Sequence, residues 1–212
     1  MSTRFLLPGL LVGFAVPAVF AQEASKPSYE ALLEKVKKAD PKADFTALRM
    51  AFTQTRGYNP YDYIARKSRR AALNALAEKD YRKALEHAEK CLTKNYLDIE
   101  AHRIAWRAHT ELKNPDKAKF HGYVRDGLLQ SILKSGDGKS PKTAYVVIAT
   151  DEEYAVLGAL GVKFRQQTLI REQGHSYDRH EGVSRETGKE ITSFFNIDRP
   201  FKWLEDSLKK KD

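Results

Sequence analysis

Small residues recur along the middle of this chain at a spacing of 34, Ala84 with Ala118 and Ala71 with Ala105, and Ala72 stands at the same distance from Trp106. They lie on apolar helical stripes. Ala84, Leu85, Ala88, Cys91 and Leu92 form one stripe, and Ala101, Ile104, Ala105, Ala108 and Leu112 a second. Ala118, Gly122, Leu128, Leu129, Ile132 and Leu133 form a third. Apolar residues at i, i+3, i+4 and i+7 give a helix one face to bury. Small residues at matched points let two such helices approach closely. A fixed period carried by helical stripes calls for stacked hairpins and argues against a long coiled coil.

The period is that of the tetratricopeptide repeat, and the match resembles that family. Tyr81, Ala84 and Leu92 fall at its tyrosine, alanine and leucine positions, whereas Tyr96 stands where its closing proline belongs and Ala72 and Trp106 replace its glycine. Two degenerate repeats follow, Ala65–Asp98 and Ile99–Ile132. Two are too few for a free-standing solenoid, so the flanking segments are expected to cap the stack. Upstream, Ser28 caps a helix with Tyr29, Leu32, Leu33 and Val36 on one face, and Asp44 caps a second that buries Phe45, Leu48 and Phe52 and ends at Gly57. Asn59-Pro60 is expected to cap and open a third, reaching Glu78 and burying Ile64, Ala65, Ala72 and Leu76.

The period changes after the turn-rich linker Lys134–Pro141. Thr143–Thr150 reads as a strand, and Thr150-Asp-Glu-Glu153 has capping-box form before a helix closed by Gly161. Val162–Ile170 returns to strand. Ser176–Ser184 and Glu190–Ile197 read as extended arms around the turn Arg185–Lys189, and Pro200 opens a terminal helix. The expected fold class is α+β: tetratricopeptide-like hairpins over 22–134, then over 135–212 a small, mainly antiparallel sheet with a short helix and a C-terminal helix, packed against the first region.

Residues 1–21 read as a secretory leader. Arg4 precedes the uncharged stretch Phe5–Phe20, and Val19-Phe20-Ala21 places small residues at −3 and −1 before Gln22. No Lys/Arg-rich flank stops transfer, and no Cys at the cleavage point invites a lipid, so no transmembrane anchor is expected after cleavage. The whole chain carries a net charge of +9. A basic balance usually raises nucleic acid as a partner, but export to a periplasmic or extracellular location excludes it. A protein or peptide, or an anionic envelope component, is the expected partner. One Cys excludes a disulfide framework, and Cys91 lies on the inward stripe of its helix.

Tyr58-Asn-Pro-Tyr-Asp62, Lys94-Asn-Tyr-Leu-Asp98, Gly136-Asp-Gly-Lys139, Asp151-Glu-Glu-Tyr154 and Gly174-His-Ser-Tyr-Asp178 occur in that order, followed by Phe195-Asn-Ile-Asp198 and Pro200-Phe-Lys-Trp203. Together they resemble the secreted bacterial family catalogued as domain of unknown function 4919, across nearly the whole mature chain. The resemblance implies export, with no established activity and no catalytic residue to carry over.

Two clusters merit weighing as sites. Gly174–Glu181 holds His175, Tyr177, Asp178 and His180, residue types suited to zinc or acid–base work. Along a strand, however, His175 and Glu181 face one way and Asp178 and His180 the other, so one strand delivers at most two ligands per face. No metal site or cofactor is expected there, and a polar sheet face with Tyr177 half buried is the plainer reading. The loop Arg56, Tyr58, Asn59, Tyr61 and Asp62 offers aromatic contact area with directional polar groups, the makings of a binding surface. Arg66, Lys67, Arg69 and Arg70 on the following helix spread over more than one face, as on a solvated helix. Gly136–Ser140 lacks the spacing of a phosphate loop. No Gly-x-Ser-x-Gly elbow or His-Glu-x-x-His is present.

An exported, non-enzymatic binding or scaffold protein of the bacterial envelope is therefore the leading expectation. The alternative is a hydrolase or transferase acting on an envelope component, with its site around His175–His180. Convergence of that segment with the Tyr58–Asp62 loop on one pocket would favour the enzyme.

Overall fold

The computed structural model describes residues 27–209, and the leader assigned to residues 1–21 lies outside them. Six helices come first: α1 (Tyr29–Lys37), α2 (Phe45–Phe52), α3 (Tyr63–Ala77), α4 (Tyr81–Lys94), α5 (Ile99–Glu111) and α6 (Pro115–Leu133). Their starts are chemically marked. Ser28, Asp44, Asp62, Asp80 and Asp98 each accept a hydrogen bond from the backbone N–H three residues on, satisfying a donor that the first turn leaves free.

One start differs from expectation. Asn59 does not cap α3; its side chain accepts from the N–H of Tyr61, making a local turn, and Asp62 caps the helix instead. Ala65 and Ala72 are buried as expected, but Ile64, in the first turn beside Tyr63, is 55% exposed. Likewise α2 ends at Phe52, well before Gly57.

The turns that close α3 and α5 are copies of each other 34 residues apart. Lys79 and Lys113 both adopt positive φ, 62° and 59°. The N–H of Asp80 reaches the carbonyl of Ala75, and that of Asn114 the carbonyl of His109, each at 2.9 Å. This is the Schellman pattern, built here on lysine where glycine is the usual occupant. Between these turns α3, α4 and α5 meet along a seam of Ala72, Ala75, Ala84, Ala88, Ile104, Ala105 and Ala108, all buried. Cys91 is fully buried beside it, as its stripe predicts.

A 3₁₀ turn (Pro141–Thr143) leads to β1 (Tyr145–Val146), only two residues long. The strand expected over Thr143–Thr150 is thus mostly irregular. Val147, Ile148 and Ala149 are buried in the core without belonging to a ladder, so the β-branched side chains of Val147 and Ile148 serve packing. Then come α7 (Asp151–Ala159), β2 (Val162–Glu172), β3 (His175–Ser184), β4 (Glu190–Asn196) and α8 (Asp198–Lys209). The sheet order is β1-β4-β3-β2: β2, β3 and β4 pair antiparallel, while β1 pairs parallel to β4, so the sheet is mixed. Gln173 and Gly174, both at positive φ, make the two-residue turn that joins β2 to β3.

The main core crosses the linker. Leu32 and Val36 of α1, Leu48 of α2 and Val124, Leu128 and Ile132 of α6 pack with Val147, Val156, Val162 and Phe195. Among the described residues, no helix is long and apolar enough to cross a membrane.

Candidate functional site

Three consecutive acids open α7, and the capping box expected of them does not form. Thr150 is already helical (φ −62°, ψ −25°) and makes no side-chain cap bond. The acids instead reach three different elements. Asp151 pairs with Arg69 of α3 at 2.6 Å. Glu152 takes a two-pronged bond from Arg49 of α2, at 2.9 and 2.5 Å, and also accepts from the N–H of Ile148. Glu153 meets His180 of β3 at 2.5 Å.

The first two acids are fully answered. Arg49 is buried, and it also donates to the Ser131 hydroxyl and the Val146 carbonyl. Arg69 divides its guanidinium between Asp151 and Asp98, the residue that caps α5 and accepts from the Cys91 thiol. Arg69 was expected on a solvated face; only its neighbours Arg66, Lys67 and Arg70 are exposed. Burial, followed by the charge of Asp98, pushes the Cys91 thiol well above its ordinary range, so it is no nucleophile.

The third acid has no Lys or Arg partner among the described residues. Glu153, Asp178 and His180 are all buried, and one ligating atom from each lies within 4.8 Å of the other two. Burial, then the Asp178 carboxylate, pushes Glu153 up to about 10. Burial also lowers His180 from its ordinary value. Among the described residues, Oε1 of Glu153 and Nδ1 of His180 are buried and make no hydrogen bond. Phe195, Phe164 and Tyr154 pack around the imidazole at 5.1, 5.3 and 5.7 Å between ring centres. The polar sheet face expected here is in truth turned inward, and Tyr177 is buried, not half buried.

His175 stands apart, as strand alternation requires. It is exposed and bonded through Nδ1 to Asp198 at the start of α8, 2.7 Å away. Burial pushes Asp198 up, but bonds from the Ser176 N–H, Asn196 and His175 outweigh it and hold the carboxyl below its ordinary value.

The Tyr58–Asp62 loop forms one wall of a cavity of about 330 Å³ at the junction of the two regions. Tyr58, Asn59, Pro60 and Asp62 line it with Phe52, Leu73 and Leu97 on the helical side and Ile148, Asp151 and Tyr154 on the other. Tyr58 donates its hydroxyl to the Ile148 carbonyl at 2.6 Å, pinning the loop. Tyr61 turns away, its ring tilted against that of Trp203, with Asp178 and Glu153 close enough that their charges, after burial, raise its phenol. Arg56 lines a separate hollow beside α1 and α2. Loop and strand segment therefore approach each other through Tyr61, but Asp178 and His180 do not line the cavity.

Sequence reasoning missed Arg49, Arg69 and Glu153, and also a histidine stack between α5 and α6. His102 and His121 touch through their Nδ1 atoms at 3.0 Å, and His109 stacks on His121. The spacing 102, 109 on α5 is a helical one and was available as a signal.

An array of helices carrying a small mixed sheet, with a cleft at their junction and a buried histidine–carboxylate cluster beneath it, is the class of molecule these features define. The chain belongs to the family described as Domain of unknown function (DUF4919), which matches residues 16–205. No curated protein and no solved structure matches it.

Proposed function

We propose that this is an exported, non-enzymatic binding or scaffold protein of the bacterial cell envelope, whose junction cleft receives a segment of another protein. The cavity walled by the Tyr58–Asp62 loop carries this reading. Its volume, about 330 Å³, sits at the lower end of the range of ligand pockets, enough for one or two side chains. Phe52, Leu73, Leu97 and Ile148 supply apolar wall, and Asn59 and Arg66 supply polar groups at the rim. Asp62, Asp98, Glu100, Asp151 and Glu152 outnumber Arg66 and Arg69 around it, which favours a peptide over an anionic envelope component. The tetratricopeptide-like reading of α3–α6 adds support through the turns repeated at 34 residues, since stacked helix pairs present concave surfaces to peptides. Support for a hydrolase or transferase is weaker: Tyr177, Asp178 and His180 are buried and do not line the cavity, and His175 lies apart on Asp198.

A photo-crosslinking residue in place of Leu73 tests the proposal in cells that export the protein. One discrete adduct is expected, abolished when Ala155→Trp fills the cavity while the thermal midpoint holds. No adduct, or one indifferent to the filled cavity, overturns it. Export has its own measurement. The secreted chain should begin at Gln22 by mass spectrometry, and an intact Met1 segment would refute the leader.

A further inference from the structure

Of the three acids that open α7, two are matched by arginines and the third is not. Glu153 and Asp178 are interior carboxylates with no Lys or Arg within ion-pair distance among the described residues. Two acids sharing a buried space cannot both be bare carboxylates, because desolvation strongly opposes it, so either a proton or a bound cation must compensate one of them. His180 supplies one neutral nitrogen lone pair and no more.

The ring nitrogens of His180 and the oxygens of Glu153 can be accounted for one by one. His180 Nε2 and Glu153 Oε2 meet at 2.5 Å, and both side chains are 0% exposed. That leaves Glu153 Oε1 and His180 Nδ1 buried with no partner, a cost of about 1–3 kcal/mol per orphaned group. Asp178 and His180 are two residues apart on one face of β3, and Glu153 comes down on them from α7. One strand delivers two ligands to a face, and the helix packed over it delivers the third.

We propose that Glu153, Asp178 and His180 bind one divalent first-row transition ion, such as zinc or manganese, which fastens α7 to β3. The donor set fits: one imidazole with two carboxylates suits these ions, and calcium would take oxygen ligands throughout. The ion supplies the positive charge that the cluster lacks. Ligands on a tetrahedral ion stand about 3.3–3.6 Å apart when each bond is about 2.0–2.2 Å, so Glu153 must retreat by about 1 Å from His180 as the ion enters. The proton held between the two is released to solvent in exchange, which makes binding tighten with rising pH. Access is short. Tyr154 and Phe164, which cover the imidazole, are themselves 48% and 39% exposed, so the ion lies one side-chain layer below the surface.

The test uses the purified full chain, stripped with chelator and titrated with zinc chloride by calorimetry, with cobalt(II) as an absorbing probe. One equivalent should bind at micromolar affinity or better and raise the thermal midpoint. Asp178→Asn and His180→Gln should each weaken binding at least tenfold, while His175→Ala and His121→Ala leave it intact. The cobalt complex should show visible d–d bands that Asp178→Asn alters. A folded, stripped wild-type chain that binds no ion defeats the proposal outright, whatever the variants do, and leaves a shared proton as the occupant. Binding that survives in Asp178→Asn, which keeps the shape of the side chain, defeats it equally. The junction cavity takes no part in this experiment, so the peptide-binding proposal stands or falls separately.

Discussion

At position 49 a guanidinium lies fully buried on an otherwise apolar helix face, next to Leu48. It is tolerated because every direction it points in meets an acceptor: Glu152 twice, Ser131 and the Val146 carbonyl. Such a pair adds little over an apolar substitute of equal size, but removing one partner strands the other charge. Arg49→Met should therefore cost about 3–5 kcal/mol of folding free energy, and adding Glu152→Met should recover most of it. Chemical denaturation of the two single variants and the double variant gives the answer, and equal losses in single and double would refute the coupling. None of this was legible in the sequence. Cys91 was, because a stripe at helical spacing announces its inward side. Period-2 alternation likewise put Asp178 with His180 and against His175. It could not say that their face is the buried one, because Glu153 lies on another element and no local pattern links it to them.

Helices were legible where capping chemistry and apolar period agreed, as at Ser28 and Asp44. Where two capping residues competed, at Asn59 and Asp62, the Asx turn at Asn59 took the first, and the helix began three residues later than its proline suggested. The strand signal over Thr143–Thr150 misled because β-branching also suits a buried irregular segment. The α5–α6 pair holds a pH dependence that its stripes did not announce. Burial lowers His102 and His121 to about 4, with neighbouring imidazoles adding to the effect on His121. The unfolded chain takes up protons near pH 6.5 that the native pair refuses until about pH 4. Stability from these neutral rings is thus complete above pH 6.5 and is lost as the pH falls from 6.5 towards 4. Allowing for the partial exposure of His121, the loss is roughly 2 kcal/mol, or about 4–8 °C in the thermal midpoint. Melting curves from pH 7.5 to 4.5 should show that fall, and His121→Asn should flatten it; an unchanged slope would contradict the assignment.

On the scale of the whole molecule, the order of helices, then strands, then a final helix could be read from the change of period near residue 134. How tightly the two regions depend on each other could not, since that rests on contacts far apart in sequence. Val124, Leu128 and Ile132 of α6 share one core with Val147, Val156 and Phe195 from beyond the linker. Asp151, Glu152 and Glu153 bind α3, α2 and β3 from a single turn of helix. Residues 22–134 alone would expose that face of α6 and leave Arg49 buried against no carboxylate. The alanine seam of α3–α5 would remain, but small side chains bury little apolar area, at roughly 25 cal/mol per Å². The intact chain should accordingly melt in one transition, with tertiary and secondary signals coincident. The 22–134 fragment should retain helix by circular dichroism yet lose its sharp melt, and chains cut between 134 and 135 should separate only on unfolding. A fragment that melts cooperatively at the midpoint of the whole chain would show that the shared core contributes little, and that α1–α6 stand without the sheet.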